Sequence, residues 1–285
     1  MIPVPFEYYR ASTLDEALEL IKKFGDEAKV LAGGQSLIPM LKLRFARYSR
    51  IIDIGRLQEL RYIKEEGEYI RIGGLITHRE VEKSSLIKEK VPVLSACASE
   101  IADVQVRNMG TIAGSLSHAD PSADYPPTML ALGAIMVTRS SKGSREIQAD
   151  NFFVGTFTTA LEPGELLVEV KVPVMKGSER AAYTKIGHPA TGFAIVNCAV
   201  KFSLKNGRIE NARVALGGFV TVPYRDTKVE DYLTGKDANL DTLKKASELV
   251  GEGQDIIGDY YADADYRRSL AKALFVRVAR SALRL

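Results

Sequence analysis

Alternating runs of apolar and polar residues divide this chain of 285 residues into three regions. In the first, residues 1–55, the capping pair Thr13 and Glu16 precedes apolar positions at helical spacing, so the pattern predicts a helix over 14–24. Two short apolar runs predict strands, at 29–32 and 50–55. This arrangement of a helix and two strands is typical of a small α/β unit.

The second region, residues 56–175, combines strands with a helical centre. A second capping box, Thr77 with Glu80, opens helical stretches that extend to about residue 102, and the apolar run 129–132 supports another helix. Alternating segments predict strands at 69–72, 134–138, 145–149 and 166–172.

The third region, residues 181–285, follows a linker-like segment at 176–180. Asn206-Gly207 is the strongest hairpin signal in the chain. The pattern predicts strands over 181–186, 193–204 and 208–217, and helices over about 240–250 and 266–284. The predicted fold class is therefore α+β, with a two-part N-terminal region followed by a small C-terminal domain of antiparallel sheet and helices.

The composition and charge of the chain limit the kinds of molecule that it is expected to bind. The chain is 46% hydrophobic and 26% charged, and its net charge of +3 is spread along its length. Outside the C-terminal helix, the chain has no basic stripe with interleaved aromatic residues, which a nucleic-acid-binding surface would more often show. No apolar run of membrane-spanning length occurs, and the N-terminus does not resemble a signal peptide, so we expect a cytoplasmic protein without a membrane span.

The cysteines and histidines predict no metal site. Cys97 and Cys198 lie in apolar surroundings and form no Cys-x-x-Cys pair, so we expect buried structural thiols rather than reactive ones. His78, His118 and His188 are far apart and lack the spacing of metal ligands.

Two stretches are rich in small and hydroxylated residues, LAGGQS at 31–36 and NMGTIAGSLSHADPSAD at 108–124. Glycine lets the backbone turn tightly and approach another group, and serine and threonine supply hydroxyls of short reach. Backbone N–H groups at such turns bind phosphate oxygens. The sequence therefore predicts two loops that cradle one phosphorylated ligand, with donors from Gly33, Gly34, Gln35, Ser36, Thr111, Gly114 and Ser115.

Neither stretch contains the G-x-G-x-x-G dinucleotide fingerprint or the G-x-x-x-x-G-K-[ST] phosphate loop. From the residues alone, two interpretations remain: the stretches form a ligand site, or they are two ordinary turns.

The motifs AGGQS at 32–36 and TIAGS at 111–115, with Asp124 in DPSAD, resemble the two FAD-binding motifs of the medium, flavin-carrying subunit of molybdenum hydroxylases. That family includes carbon monoxide dehydrogenase, xanthine dehydrogenase and aldehyde oxidoreductases. The resemblance extends over nearly the whole chain. The usual motifs are AGGHS and TIGGN, from which this chain departs at Gln35, Ala113 and Ser115.

The resemblance implies that the two motifs hold the pyrophosphate of FAD and that Asp124 lies near the ribityl hydroxyls. Lys185 would place positive charge near the flavin ring, or else lie at the surface or in an ion pair. Phe193 would stand close to the ring, or else be a core strand residue. The implied cofactor-binding residues are Leu31, Ala32, Gly33, Gly34, Gln35, Ser36, Ala102, Thr111, Ala113, Gly114, Ser115, Asp120, Asp124, Leu167, Lys185 and Phe193.

The resemblance also implies a two-part N-terminal FAD-binding domain, 1–55 and 56–175, and a division of labour between subunits. A large molybdenum-cofactor subunit would oxidise an aldehyde, carbon monoxide or a heterocycle. This chain would carry electrons from a small [2Fe–2S] subunit through FAD to an external acceptor, within a dimer of heterotrimers. The absence of cysteine clusters fits that division. Two alternatives are a self-sufficient FAD-dependent oxidoreductase, with His118 or His188 as the base, and a non-enzymatic scaffold.

Replacing Gly34 tests the first loop. We expect Gly34→Val to be purified without FAD, because a branched side chain would block the close approach of the backbone to phosphate, while residues 181–285 stay folded. Flavin absorbance and near-ultraviolet circular dichroism measure the two effects, and full flavin occupancy would count against this placement of the loop.

Overall fold

The computed structural model describes residues 2–285. The first unit contains β1 (Glu7–Arg10), α1 (Leu14–Phe24), β2 (Ala28–Leu31), α2 (Leu37–Leu43) and β3 (Arg50–Asp53). Its three strands form a parallel sheet in the order β1-β3-β2. Helix α1 has the predicted bounds because the Thr13 side chain accepts a hydrogen bond from the Glu16 N–H, and Gly25, with φ +51, ends the helix.

The middle region is an antiparallel sheet with helices on one face. Its helices are α3 (His78–Lys83), α4 (Ser85–Lys90), α5 (Pro92–Glu100), α6 (Val104–Met109), α7 (Ile112–His118) and α8 (Tyr125–Leu132). Its strands are β4 (Ile63–Glu66), β5 (Tyr69–Gly73), β6 (Ile135–Ser140), β7 (Gly143–Gln148), β8 (Phe153–Gly155), β9 (Thr158–Thr159) and β10 (Leu166–Pro173). The main sheet has the order β4-β5-β10-β6-β7, and its inward residues form one apolar core with the helices.

The C-terminal region is a second antiparallel sheet, in the order β11-β12-β13-β14. Its elements are β11 (Glu179–Gly187), β12 (Ala194–Lys205), β13 (Arg208–Gly217), β14 (Tyr224–Arg225), α9 (Thr227–Leu233), α10 (Leu240–Ser247) and α11 (Ala264–Leu283). The predicted hairpin turn is present, with positive φ at Asn206 and Gly207. The α+β fold class is confirmed.

Helix α8 connects the two larger regions. All eight of its residues are buried, and it packs against β12 and β13. Tyr183, Ala199 and Ala215 of the C-terminal sheet share an apolar core with α8, whereas the opposite face of that sheet packs against α9, α10 and α11. The C-terminal sheet therefore has helices on both faces, which holds it against the middle region.

The stretch 108–124 is not the continuous loop that its small residues suggested. It completes α6, forms α7, and then turns into α8. The Thr111 side chain accepts a hydrogen bond from the Gly114 N–H, and the carbonyls of Ile76 and Gly74 accept from the first two N–H groups of α7. Because these contacts satisfy the start of the helix, a segment of modest helix propensity becomes helical.

Other local predictions have mixed outcomes. Helix α9 was not predicted. The capping box of Thr77 and Glu80 is present, and Cys97 and Cys198 are both buried as expected. Within residues 2–285, no helix combines the length and hydropathy needed to cross a bilayer.

His78 is a buried histidine beneath the start of α7. Its Nδ1 lies 3.3 Å from the Tyr125 hydroxyl, and its Nε2 packs closely against Gly110. Burial, with a smaller contribution from Arg107, lowers the pKa of His78 from 6.5 to about 4.

We expect His78 to make the fold sensitive to acid. The unfolded chain protonates this side chain below about pH 6.5, whereas the folded chain does so only near pH 4. The contribution of neutral His78 to the free energy of unfolding is therefore complete above about pH 6.5. Below that pH it falls by about 1.4 kcal/mol per pH unit. Urea unfolding at pH 7 and pH 5 should show a smaller acid loss in His78→Leu than in wild type, by about 2 kcal/mol. Equal losses in wild type and His78→Leu would contradict the prediction.

Candidate functional site

The two glycine-containing stretches meet in the structure. A β-carbon added to Gly33 would lie 2.0 Å from the carbonyl oxygen of Met109 and 2.8 Å from the α-carbon of Gly110. The two backbones are therefore in direct contact, and only glycine fits at position 33. This contact places residues 32–36 beside the segment that leads into 111–115.

The first stretch presents free hydrogen-bond donors. None of the backbone N–H groups from Ala32 to Ser36 donates to another residue within the described range. Gly34 has φ +73, and Gln35 folds back so that its Nε2 donates to the Gly33 carbonyl at 3.1 Å. Ser36 precedes α2, but its side chain makes no capping bond and is exposed. A run of free N–H groups is what a pyrophosphate requires.

The second stretch offers a hydroxyl, while two of its predicted backbone donors are already engaged. The N–H groups of Gly114 and Ser115 both donate to Thr111, the first to its side chain and the second to its carbonyl. The half-buried Ser115 hydroxyl has no hydrogen-bond partner in the described part of the chain. Ala113 is buried, and its methyl group lies beside Gly74 in the core. The departure from glycine at 113 therefore does not project into the space near Gly33.

Asp124 precedes α8, but its side chain does not cap that helix. The carboxylate turns instead toward β11, where the Tyr183 hydroxyl donates to Oδ1 and Lys185 Nζ lies 2.8 Å from the same oxygen. Burial raises the pKa of Asp124, although Lys185 and Tyr183 oppose this shift.

The Lys185 ammonium is buried and ion-paired rather than at the surface. Its contact with Asp124 lacks hydrogen-bond alignment, so Nζ has no hydrogen-bond partner among residues 2–285. A buried ammonium without hydrogen bonds is costly. The ion pair with Asp124 offsets part of that cost.

Phe193 is not the core residue that the strand pattern allowed. Its side chain is 55% exposed, and β12 begins one residue later. The N–H of Ala194 donates to the Ser122 carbonyl at 3.4 Å, which places Phe193 next to the segment that carries Asp124. In that segment Asp120 accepts the Ser122 N–H at 2.8 Å and stabilises the turn.

Three predicted residues lie at the margin of this arrangement. Leu31 supports the first stretch, with its Cδ1 3.0 Å from the β-carbon position of Gly34. Leu167 is buried in the core behind Gly74. Ala102 has φ +40 and precedes α6, at the end of that helix away from the contact with Gly33.

Tyr183 was missed among the predicted site residues. It lies two residues before Lys185 on β11, and side chains alternate along a strand, so both point to the same face. That alternation is the signal that could have identified Tyr183 once Lys185 was a candidate.

The fold and the site define a flavoprotein of the molybdenum hydroxylases, and the chain belongs to this family. Residues 4–175 match the FAD binding domain in molybdopterin dehydrogenase, and residues 181–282 match the CO dehydrogenase flavoprotein C-terminal domain. The predicted family and its cofactor, FAD, are confirmed. The free N–H groups of the first stretch fit such a cofactor.

The chain matches medium chains of known dehydrogenases over nearly their full length. The chain is 39% identical to the glyceraldehyde dehydrogenase medium chain of Sulfolobus acidocaldarius, with 97% of this chain and 98% of that one covered. It is 35% identical to the carbon monoxide dehydrogenase medium chain of Hydrogenophaga pseudoflava, with 99% and 98% covered. A solved structure of carbon monoxide dehydrogenase from that organism, lacking the Mo-pyranopterin moiety, has 36% identity, a TM-score of 0.96, and coverage of 99% and 98%.

A methyl group at position 33 tests the contact between the two stretches. We expect Gly33→Ala to weaken FAD binding at least tenfold, because its β-carbon would collide with the Met109 carbonyl and force the stretches apart. Fluorescence titration of FAD with the apoprotein measures this. The matched control Gly177→Ala adds a methyl group where nothing lies within 4 Å, and should bind FAD as wild type does. Equal affinities of the two variants would contradict the prediction.

Proposed function

We propose that this chain is the electron-transfer subunit of a molybdenum-containing hydroxylase or dehydrogenase, taking electrons from iron–sulfur clusters on a partner and passing them to an external acceptor. The observation that carries the proposal is the run of free N–H groups from Ala32 to Ser36, held against the second stretch through Gly33. When bound, FAD supplies the redox chemistry. The residues of this chain bind it, orient it and set its electrostatic surroundings.

Each group of residues has a distinct task. Residues 32–36 donate N–H groups to the pyrophosphate, and the Ser115 hydroxyl adds a further donor. Asp124 accepts hydrogen bonds from ribityl hydroxyls. Lys185 places positive charge near the flavin ring, and Phe193 supplies an exposed aromatic face beside it. The proposal leaves Leu31 and Leu167 to support these contacts from behind, and Ala102 and Asp120 to shape the adjoining turns.

We also propose the partners, namely a large molybdenum-cofactor subunit and a small [2Fe–2S] subunit in a cytoplasmic dimer of heterotrimers. The similarity to medium chains supports the proposed large and small partner subunits. Apolar side chains are exposed on and beside α2 and α6, the two helices that flank the contact at Gly33. They support the proposal that a partner subunit covers this surface. They are Ile38, Leu43, Phe45, Val104 and Met109, of which Phe45 is 81% exposed.

The self-sufficient oxidoreductase remains the alternative to be tested. Its candidate bases each pack against an aromatic ring, His118 against Phe157 at 5.0 Å between ring centroids and His188 against Tyr261 at 4.4 Å. Burial lowers the pKa of His118. Neither histidine contacts Asp124 or Lys185 through a hydrogen bond in the described part of the chain.

Purification through a tag on this chain from its native cells distinguishes the two functions. We expect a large molybdenum-containing protein and a cysteine-rich [2Fe–2S] protein to copurify. Glyceraldehyde, carbon monoxide and xanthine serve as probe substrates, and the one that is oxidised should bleach the flavin absorbance in the complex but not in the chain alone. Bleaching by a probe in the isolated chain would support the self-sufficient alternative instead. A chain that stays colourless after addition of FAD would refute both.

A further inference from the structure

Four consecutive residues next to α8, Pro121 to Asp124, are held by the C-terminal sheet. The N–H of Gly218 donates to the Pro121 carbonyl at 2.9 Å, and that of Ala194 donates to the Ser122 carbonyl at 3.4 Å. The Asn197 side chain donates through Nδ2 to the Ala123 carbonyl at 2.9 Å. The last residue of the segment, Asp124, is held through its carboxylate.

We propose that the C-terminal sheet is a positioning device for the FAD site, and that Tyr183 is the positioning residue that orients the Asp124 carboxylate toward the cofactor. The proposal rests on the function proposed above, in which Asp124 binds the ribityl hydroxyls. It assigns to the C-terminal region a role in cofactor binding that extends beyond Lys185 and Phe193.

The carboxylate has one engaged oxygen and one free oxygen. Tyr183 and Lys185 both approach Oδ1, whereas Oδ2 accepts no hydrogen bond from any residue in the range 2–285. A carboxylate can accept about four hydrogen bonds, so Oδ2 retains its capacity for ligand hydroxyls. The Tyr183 hydroxyl thus determines which oxygen is turned toward the protein and which remains available.

The neighbouring buried polar atoms also lack partners. Three buried side-chain atoms in the described part of the chain have no hydrogen bond, and two of them, Lys185 Nζ and Asn197 Oδ1, are on this face of the sheet. Lys185 and Asn197 are directly paired across β11 and β12. One atom is a donor and the other an acceptor, which is the complement of a hydroxyl group. Such atoms are expected where a polar ligand completes the site.

A tyrosine at position 183 supplies a hydroxyl group that a phenylalanine would lack. Lys185 attracts the carboxylate by charge, with its Nζ 2.8 Å from Oδ1. The Tyr183 hydroxyl, buried with Asp124, supplies the directed bond. Without it the carboxylate loses a hydrogen bond that fixes its orientation and stabilises its charged form, so it takes up a proton more easily.

Tyr183→Phe in the full-length chain tests the proposal, with FAD titrated into apoprotein over a range of pH. We expect the dissociation constant to rise about tenfold at neutral pH. The acid limb of the binding profile should move to higher pH, because the carboxylate loses a bond that stabilises its charged form. A purely structural role would not move that limb.

The matched control is Tyr224→Phe. The Tyr224 hydroxyl donates to Asp226 at 3.2 Å in the same sheet, so this pair repeats the chemistry away from the glycine stretches. We expect wild-type affinity and a wild-type profile from this variant. An unchanged Tyr183→Phe, or an equal loss in Tyr224→Phe, would overturn the proposal.

A double-mutant cycle separates the positioning role from the function on which it rests. If Tyr183 acts through the Asp124 charge, Tyr183→Phe should have no further effect on FAD affinity in an Asp124→Asn background. Additive losses would overturn the positioning role while leaving Asp124 in the site. If Asp124→Asn and Gly33→Ala both bind FAD as wild type does, the proposed FAD site itself fails.

Discussion

Burial of the Asp124 carboxylate is the constraint on which much of the site depends. A carboxylate removed from water is costly unless it is paired and hydrogen-bonded, and both partners, Lys185 and Tyr183, come from the C-terminal sheet. Asp124 itself immediately precedes the fully buried α8. The N-terminal and C-terminal regions must therefore stay docked for this charge to be satisfied.

A second constraint is steric. Gly33 lies so close to Met109 that no side chain fits between the two stretches. The first stretch lies between β2 and α2, outside the helices and strands. Its N–H groups from Ala32 to Ser36 therefore have no partner in the described range. In the second stretch the N–H groups of Gly114 and Ser115 bond to Thr111 at the start of α7, and the Ser115 hydroxyl stays without a partner in the described chain. The two stretches are thus chemically different, although their compositions are alike.

The departures from the family motifs have a local explanation. Ala113 directs its methyl group into the core beside Gly74, so it does not obstruct the space near Gly33. Gln35 bonds to the Gly33 carbonyl, which stabilises the turn rather than extending toward a ligand. Ser115 keeps a hydroxyl without a partner in the described chain, and so retains a polar group where relatives use a longer side chain.

The sequence by itself determined the α+β class, helix α1 and the hairpin at Asn206, because capping, periodicity and turn chemistry act between near neighbours. It also identified both glycine stretches and, through family resemblance, FAD. Only the tertiary structure decided that 112–118 is helical, since carbonyls of Ile76 and Gly74 complete the start of α7. The burial of Lys185 and the role of Tyr183 likewise depend on the docking of β11 against Asp124, a contact between residues about sixty positions apart. Local patterns cannot encode such a contact, because it is the packing of whole elements that brings the two side chains together.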